Sequence, residues 1–222
     1  MTIDHVVLAV GGFLLGSLPF SVWIGRLALG VDIRDYGDGN PGTFNVIRAG
    51  GLKWGGLALM LDISKGAVPA GLATQIFRID GIAQIIIALS PILGHAFSPF
   101  LAFRGGKAIA ATAGALIGIS LIELPLVFAV ILVFWYTSLT SSGWAVMFTL
   151  ICLLFYALLV SGPVEWVIFI VLMLMFMAFK HRDELIHRPR LKLSPLLRPF
   201  IRAAETNHDD GDSLHDQRPD RH

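Results

Sequence analysis

VDIRDYGDGNPGTFNVIRAGGLKW, residues 31–54, stands between two strongly apolar segments, the second of which carries Asp62 and Lys65 inside it. A polar, glycine-rich insert between such runs places charge at the edge of a lipid phase. Its centre, Gly37-Asp38-Gly39-Asn40-Pro41-Gly42-Thr43-Phe44-Asn45, has the composition of a tight turn that can hold backbone N–H groups outward, an arrangement suited to anions. Arg34 precedes the turn, Arg48 closes it and Lys53 follows, which would give a bound phosphate cationic partners. The stretch reads as a phosphate-binding loop at a membrane surface.

Composition agrees with a bilayer setting. Of 222 residues, 55% are hydrophobic and 15% charged, and the mean hydropathy is +0.72, well above a soluble domain of this size. The formal net charge of +1 hides an uneven spread, because seven of the 17 Lys and Arg lie between Lys180 and Arg202. Cys152 is the single cysteine, which excludes a disulfide framework and a cysteine-based metal centre. No metal, cofactor or nucleic-acid partner is expected. The first residues lack a basic n-region and run on apolar to Leu29, so they read as a retained helix rather than a cleaved leader.

A membrane span needs roughly 20 apolar residues. Candidates lie at Val6–Leu29, Gly55–Phe77, Gly81–Phe103, Ala108–Ile122, Leu124–Leu139, Gly143–Ser161 and Val164–Phe179. The fourth and fifth are short and form either a tight hairpin or one broken helix. The expected fold is therefore all-α, with seven transmembrane helices spread over residues 1–188. With alternating loops, Arg34, Arg48, Lys53, Arg104, Lys107 and the basic C-terminal region share one side. The positive-inside rule makes that side cytoplasmic and puts the N-terminus outside. Residues 189–202 read as a basic interfacial segment and 203–222 as a disordered polar tail, in which His215 and Asp220 form a coincidental H-x-x-x-x-D pair.

Further polar features sit within or beside the spans. Gly11, Gly12 and Gly16 have the spacing of a close helix contact, and Gly16-Ser17-Leu18-Pro19 predicts a kink. Asp62 and Lys65 lie on one helix face; they are either a structural ion pair or a means for Lys65 to reach a substrate phosphate. His95 reads as an interior histidine with a partner. Arg104-Gly105-Gly106-Lys107, just before an alanine-rich helix, reads as a second anion site because the paired glycines and the helix dipole add to the cation. Leu116–Ser161 reads as scaffold, with Trp135, Tyr136, Trp144 and Tyr156 at interfaces. Lys180-His181-Arg182-Asp183-Glu184 forms a third polar cluster on the same side as the two loops, although spacing alone favours surface anchors with solvated partners.

Taken together, GSLPFSVWIGRLALGVDIRDYGDGNPGTFNVIRAGG followed by LDISKG, then GHAFSPFLAFRGGKA, then the cluster at His181, resemble the signature motifs of the PlsY-type acyl-phosphate:glycerol-3-phosphate acyltransferases, bacterial seven-span enzymes of phospholipid synthesis. The resemblance covers roughly residues 11–185. It implies a multi-pass protein of the bacterial inner (plasma) membrane with a cytoplasm-facing site. There an acyl group would pass from acyl phosphate to the 1-hydroxyl of glycerol 3-phosphate, giving lysophosphatidate. It further implies Arg48, Lys107 and His181 as catalytic residues. Gly39, Asn40, Gly42, Asn45, Gly105 and Gly106 match the motifs and would bind substrate, and Asp38, Lys65 and Glu184, from the residues' own positions, are expected to join them. Three positions depart from the family pattern: Asp38 replaces the usual serine, Ala108 a glycine, and Glu184 an asparagine. Two alternatives remain on the residues alone: a transferase with another acceptor held by Asp38 and Glu184, or a carrier of a phosphorylated solute.

Overall fold

The computed structural model describes residues 2–160 and 162–192, and these form a bundle of helices joined by short connections. Most of the basic segment 189–202, the tail 203–222 and the His215/Asp220 pair lie outside the described residues. The first apolar run is α1 (Ile3–Ser17), α2 (Phe20–Ile24) and a π-helical turn at Gly25–Leu29, which ends at Gly30 with φ +69. The expected kink is a full break: Leu18 is extended, as a residue before proline prefers, and the freed carbonyl of Ser17 accepts the Ser98 hydroxyl at 2.5 Å.

The next helix, α3 (Thr43–Gly71), differs from expectation by starting at Thr43 rather than Gly55. Helical geometry survives the glycine-rich stretch with one interruption, at Gly51, whose φ of +77 bends the helix where no other residue type is comfortable. Arg48 therefore sits in the opening turns of a helix, not at the end of a loop. A π-helical turn at Leu72–Ile76 follows. α4 (Gly81–Ala96) ends before Phe97, well short of the expected Phe103, because Phe97 leaves helical geometry and a short 3-10 turn, Pro99–Leu101, takes over. α5 (Ile109–Ser120) and α6 (Glu123–Ser138) are joined tightly through Leu121 and Ile122, which settles that pair as a hairpin. α7 (Ser142–Leu159), α8 (Val164–Lys180) and the one-turn α9 (Arg182–Leu185) complete the bundle.

Among the described residues, four helical runs are long and apolar enough to cross a membrane: Ile3–Leu29, Thr43–Ile76, Gly81–Leu101 and Ser142–Leu159. α5 has 12 residues and α6 has 16, or about 18 and 24 Å of rise against a hydrocarbon core of about 30 Å. These two are apolar without being full-length spans.

Small residues set how closely the helices approach. A Cβ on Gly16 would run into the backbone of Pro91, and one on Gly94 into that of Phe13, so α1 and α4 cross with backbones in contact. Gly66 against Ala111 and Gly114 against Ile63 do the same for α3 and α5. Gly12 belongs to the first seam, but Gly11 has open space beside it and contributes nothing to the packing expected of it. A continuous apolar core that includes Ile92, Leu116, Phe128, Leu150, Phe169 and Met173 ties α4 to α8 together. Beyond α9 the chain turns back beside the α6–α7 connection: Leu191 bridges Leu139, and Thr140 and Lys192 donate backbone hydrogen bonds to Arg190 and Ser138 at 3.0 and 2.8 Å. Among the described residues this isolated bridge is the nearest approach to β-structure.

Candidate active site

The three polar stretches meet at Lys107. Its ammonium lies 2.9 Å from Asp38 Oδ2 in the first loop and 2.6 Å from Glu184 Oε1 on α9, and donates to the Ser142 hydroxyl at 3.2 Å at the start of α7. The sequence separations are 69 and 77 residues for the two carboxylates, so only the folded bundle assembles this group.

Each partner is held from behind. Asp38 Oδ1 accepts the Asn40 N–H and the Asn45 side-chain amide, each at 3.2 Å. Asn45, buried in the first turn of α3, also donates to Asn40 O at 2.9 Å, and its own oxygen accepts Arg48 Nη1 at 2.8 Å. Gly37 is left-handed at φ +57 and packs so closely that any Cβ there would strike the Arg48 guanidinium. Glu184 Oε2 accepts the Gly143 N–H at 2.6 Å and the hydroxyls of Ser142 and Ser141 at 2.8 and 3.3 Å. It thus places a carboxylate on the positive end of the α7 dipole. His181 Nδ1 lies 3.3 Å from the other oxygen of Glu184, while its Nε2 is buried with no hydrogen-bond partner among the described residues.

Charge follows geometry. Burial opposes ionisation of Glu184, but hydrogen bonds from His181, Lys107, Ser142 and Gly143 outweigh it and hold the carboxyl well below its ordinary range. Burial likewise opposes ionisation of Asp38, and the hydrogen bond and charge of Lys107 reverse the balance, so this carboxyl also lies low. The same two carboxylates raise the Lys107 ammonium against the opposite pull of its own burial. All three groups are ionised at neutral pH.

Several expected roles change in the structure. The loop was expected to aim backbone donors outward, yet Gly39 N–H binds Tyr36 O at 3.0 Å, Gly42 N–H binds Asn40 O at 2.8 Å and Asn40 N–H binds Asp38. The turn satisfies these N–H groups from within itself. Gly106 N–H binds His95 O at 3.1 Å, and a Cβ on Gly105 would strike the same carbonyl, so the paired glycines serve close packing against the end of α4. Arg34 is tied to Asp32 by contacts of 2.9 and 2.6 Å, and Lys53 lies over the Trp54 ring at 5.6 Å, so neither joins the group around Lys107. Lys65 is 2% exposed and 2.7 Å from Asp62, with Ser21 donating to the same carboxylate at 2.8 Å, so the structure favours the ion-pair reading. His95 Nδ1 approaches Lys65 Nζ to 3.4 Å, which gives this interior histidine its partner. A water-sized cavity lies between this buried pair and the loops, lined by Pro41 and Gly106 as well as Ser17, Lys65 and His95. Lys180 donates to Ala96 O at 3.3 Å instead of anchoring freely at the surface.

Ser141, Ser142 and Gly143 fell in a stretch read as scaffold. Their signal was present: two serines and a glycine immediately before the apolar run from Trp144 mark a helix N-terminus, which is a place for an anion. Tyr136, read as an interfacial aromatic, stacks on Phe44 at 5.4 Å and links α6 to the opening of α3.

The family model for glycerol-3-phosphate acyltransferase matches residues 6–188. The chain belongs to this family. Relatives named glycerol-3-phosphate acyltransferase include a protein of Lactococcus lactis subsp. lactis, 36% identical over 81% of this chain and 87% of its own length. Another, from Bacillus cytotoxicus, is 34% identical over 83% of this chain and 91% of its own. A third, from Desulfovibrio desulfuricans, is 35% identical over 93% and 92%. The solved structures of PlsY (YgiH), an integral membrane glycerol 3-phosphate acyltransferase, in a glycerol 3-phosphate form and a lysophosphatidic acid form, each align with a TM-score of 0.73 and 29% identity. Each alignment covers 82% of this chain and 90% of that one. This acyltransferase-family chain is accordingly an integral membrane protein built from apolar helices.

Proposed function

We propose that this protein transfers a fatty acyl group from acyl phosphate to the 1-hydroxyl of glycerol 3-phosphate, releasing lysophosphatidate and inorganic phosphate at the cytoplasmic face of a bacterial inner membrane. The convergence of three separate stretches on the Lys107 ammonium carries the reading. It gives an anionic substrate one fixed cation, with Arg48 held nearby in the loop network through Asn45. The PlsY structures that this chain resembles are forms with glycerol 3-phosphate and lysophosphatidic acid, the acceptor and product of the same reaction.

The donor arrives activated, so no side-chain nucleophile is needed. The acceptor hydroxyl attacks the acyl carbonyl and a C–O ester bond forms. The bond from the acyl carbon to the phosphate oxygen breaks, and phosphate leaves with the electron pair. Holding two anions together and stabilising negative charge on the carbonyl oxygen are the protein's tasks, and Lys107 and Arg48 are the groups with the charge to do them. His181 was expected among the catalytic residues, but it is buried with its ring against Glu184. It is better placed to orient that carboxylate, and the departing phosphate can take the proton of the attacking hydroxyl.

The proposed topology has seven membrane-embedded helical segments, with α5 and α6 as the short hairpin and the charged stretches on one side. Purified protein in phospholipid vesicles, supplied with acyl phosphate and glycerol 3-phosphate, should release inorganic phosphate in step with lysophosphatidate. Phosphate release that ignores glycerol 3-phosphate but follows another alcohol or amine would assign a different acceptor. Solute uptake without release would make the protein a carrier.

A further inference from the structure

An ammonium has three protons to donate, and Lys107 has committed all of them. One goes to Asp38, one to Glu184 and one to Ser142. A phosphate group can therefore use Lys107 only by displacing something. The three partners are not equally replaceable.

Glu184 is the fixed partner. Its two oxygens together meet the Gly143 N–H, two serine hydroxyls and His181 in addition to the lysine, and its side chain is 28% exposed. Withdrawing it would leave the N-terminus of α7 without its anion. Asp38 is different: its side chain is 47% exposed, and Oδ2 meets Lys107 alone. The remaining contacts, from Asn40 and Asn45, are both to Oδ1. Gly37 and Gly39 on either side are left-handed at φ +57 and +71. Rotation of this carboxylate frees Lys107 while Oδ1 keeps its place in the turn.

We infer that Asp38 is a specificity-determining residue whose carboxylate occupies the phosphate position on Lys107 and is displaced when the acceptor's phosphate binds. The inference rests on the acyl-transfer reading of this site and names which group the substrate must dislodge. Two consequences follow from charge alone. The displaced carboxylate stays near the incoming phosphate and repels it, so acceptor affinity is lower than the cation would otherwise allow. An acceptor whose anionic group carries less charge, such as a phosphate monoanion or a carboxylate, loses less from that repulsion.

The test is the dependence of turnover on glycerol 3-phosphate in vesicles for the unaltered chain, Asp38→Asn and Asp38→Ser, with direct binding of inorganic phosphate measured on the same preparations. Asp38→Asn keeps the side-chain oxygen that accepts from Asn40 and Asn45, and so retains the turn. The expected result for both variants is a KM for glycerol 3-phosphate lower by about fivefold to tenfold, the worth of one partly exposed ion pair with its repulsion. The change should be carried by KM rather than kcat, with tighter binding of inorganic phosphate. Loss of a merely structural contact would instead raise KM or lower kcat. An unchanged or higher KM in both variants, while Lys107→Ala still stops turnover, overturns the displacement and leaves the acyl-transfer reading intact. Absence of turnover from acyl phosphate and glycerol 3-phosphate in every form overturns the reading, and this inference with it.

Discussion

Lys65 and Lys107 are both paired with carboxylates, yet they sit in opposite surroundings. Lys65 is enclosed between helices, 2.7 Å from Asp62, with the Phe20 ring 5.1 Å away. Lys107 stands at the mouth of the bundle, where two carboxylates on separate polar segments reach it. In the first case two residues three apart on one helix supply both charges, and the pair forms as soon as α3 does. In the second the cation joins three distant pieces of chain. An enclosed pair cannot exchange partners without opening the bundle, whereas a partly exposed one is within reach of an approaching anion. The same two residue types thus serve cohesion in one place and, in the proposed function, recognition in the other.

The sharpest way to break this contrast is to remove one half of the enclosed pair. Asp62→Ala leaves an ammonium and the Ser21 hydroxyl without their acceptor, and should lower the stability of the detergent-solubilised protein by about 3 kcal/mol or more. Denaturant titration followed by tryptophan fluorescence would read it. The double variant Asp62→Leu with Lys65→Met should recover most of the loss, because no charge is then left enclosed. A single variant as stable as the parent would mean that Lys65 reaches water, and the contrast would fall.

At the other site the order of effects should reverse. Lys107→Ala should lower turnover by about a hundredfold or more, while stability changes by only about 1 kcal/mol, the usual worth of a partly exposed pair. Arg48→Ala should also suppress turnover and leave the protein folded and membrane-inserted. Activity assays paired with the same denaturant titration would separate the two lysines: one variant folds and is inactive, the other fails to stay folded.

The sequence made the membrane setting and helical class legible because lipid imposes a length and a composition on every span. It made the three polar stretches legible because charged residues at such positions need a reason to be there. It did not disclose where their hydrogen bonds go. Glycine-rich composition at Gly39, Gly42 and Gly106 suggested open backbone donors, but composition cannot tell a turn that offers its N–H groups from one that closes on itself. Nor could spacing show that Glu184 would cap α7, since that pairing joins residues 41 apart in sequence. The long start of α3 was hidden for a related reason: Gly50 and Gly51 read as loop, whereas packing on either side holds helical geometry up to a single left-handed residue.

Acidity gives the finest test of the difference between the two pairs. Asp38 and Glu184 lie below their ordinary range, so the stability they contribute is complete above the unfolded carboxylate values of about 4 and is lost as pH falls through their lower folded values. Lys107 is raised, so its contribution is complete below its unfolded value of about 10.4 and is lost only as pH rises through the higher folded one. Between about pH 5 and 10 Asp38, Glu184 and Lys107 should therefore all keep their charges. The stability difference between the parent and Lys107→Met should be flat down to about pH 5 and should shrink on further acidification, when Asp38 and Glu184 take up protons and the lysine loses its partners. A difference that instead widened below pH 5 would show that the carboxylates were not the groups holding Lys107, and the recognition site would have to be drawn around some other anion.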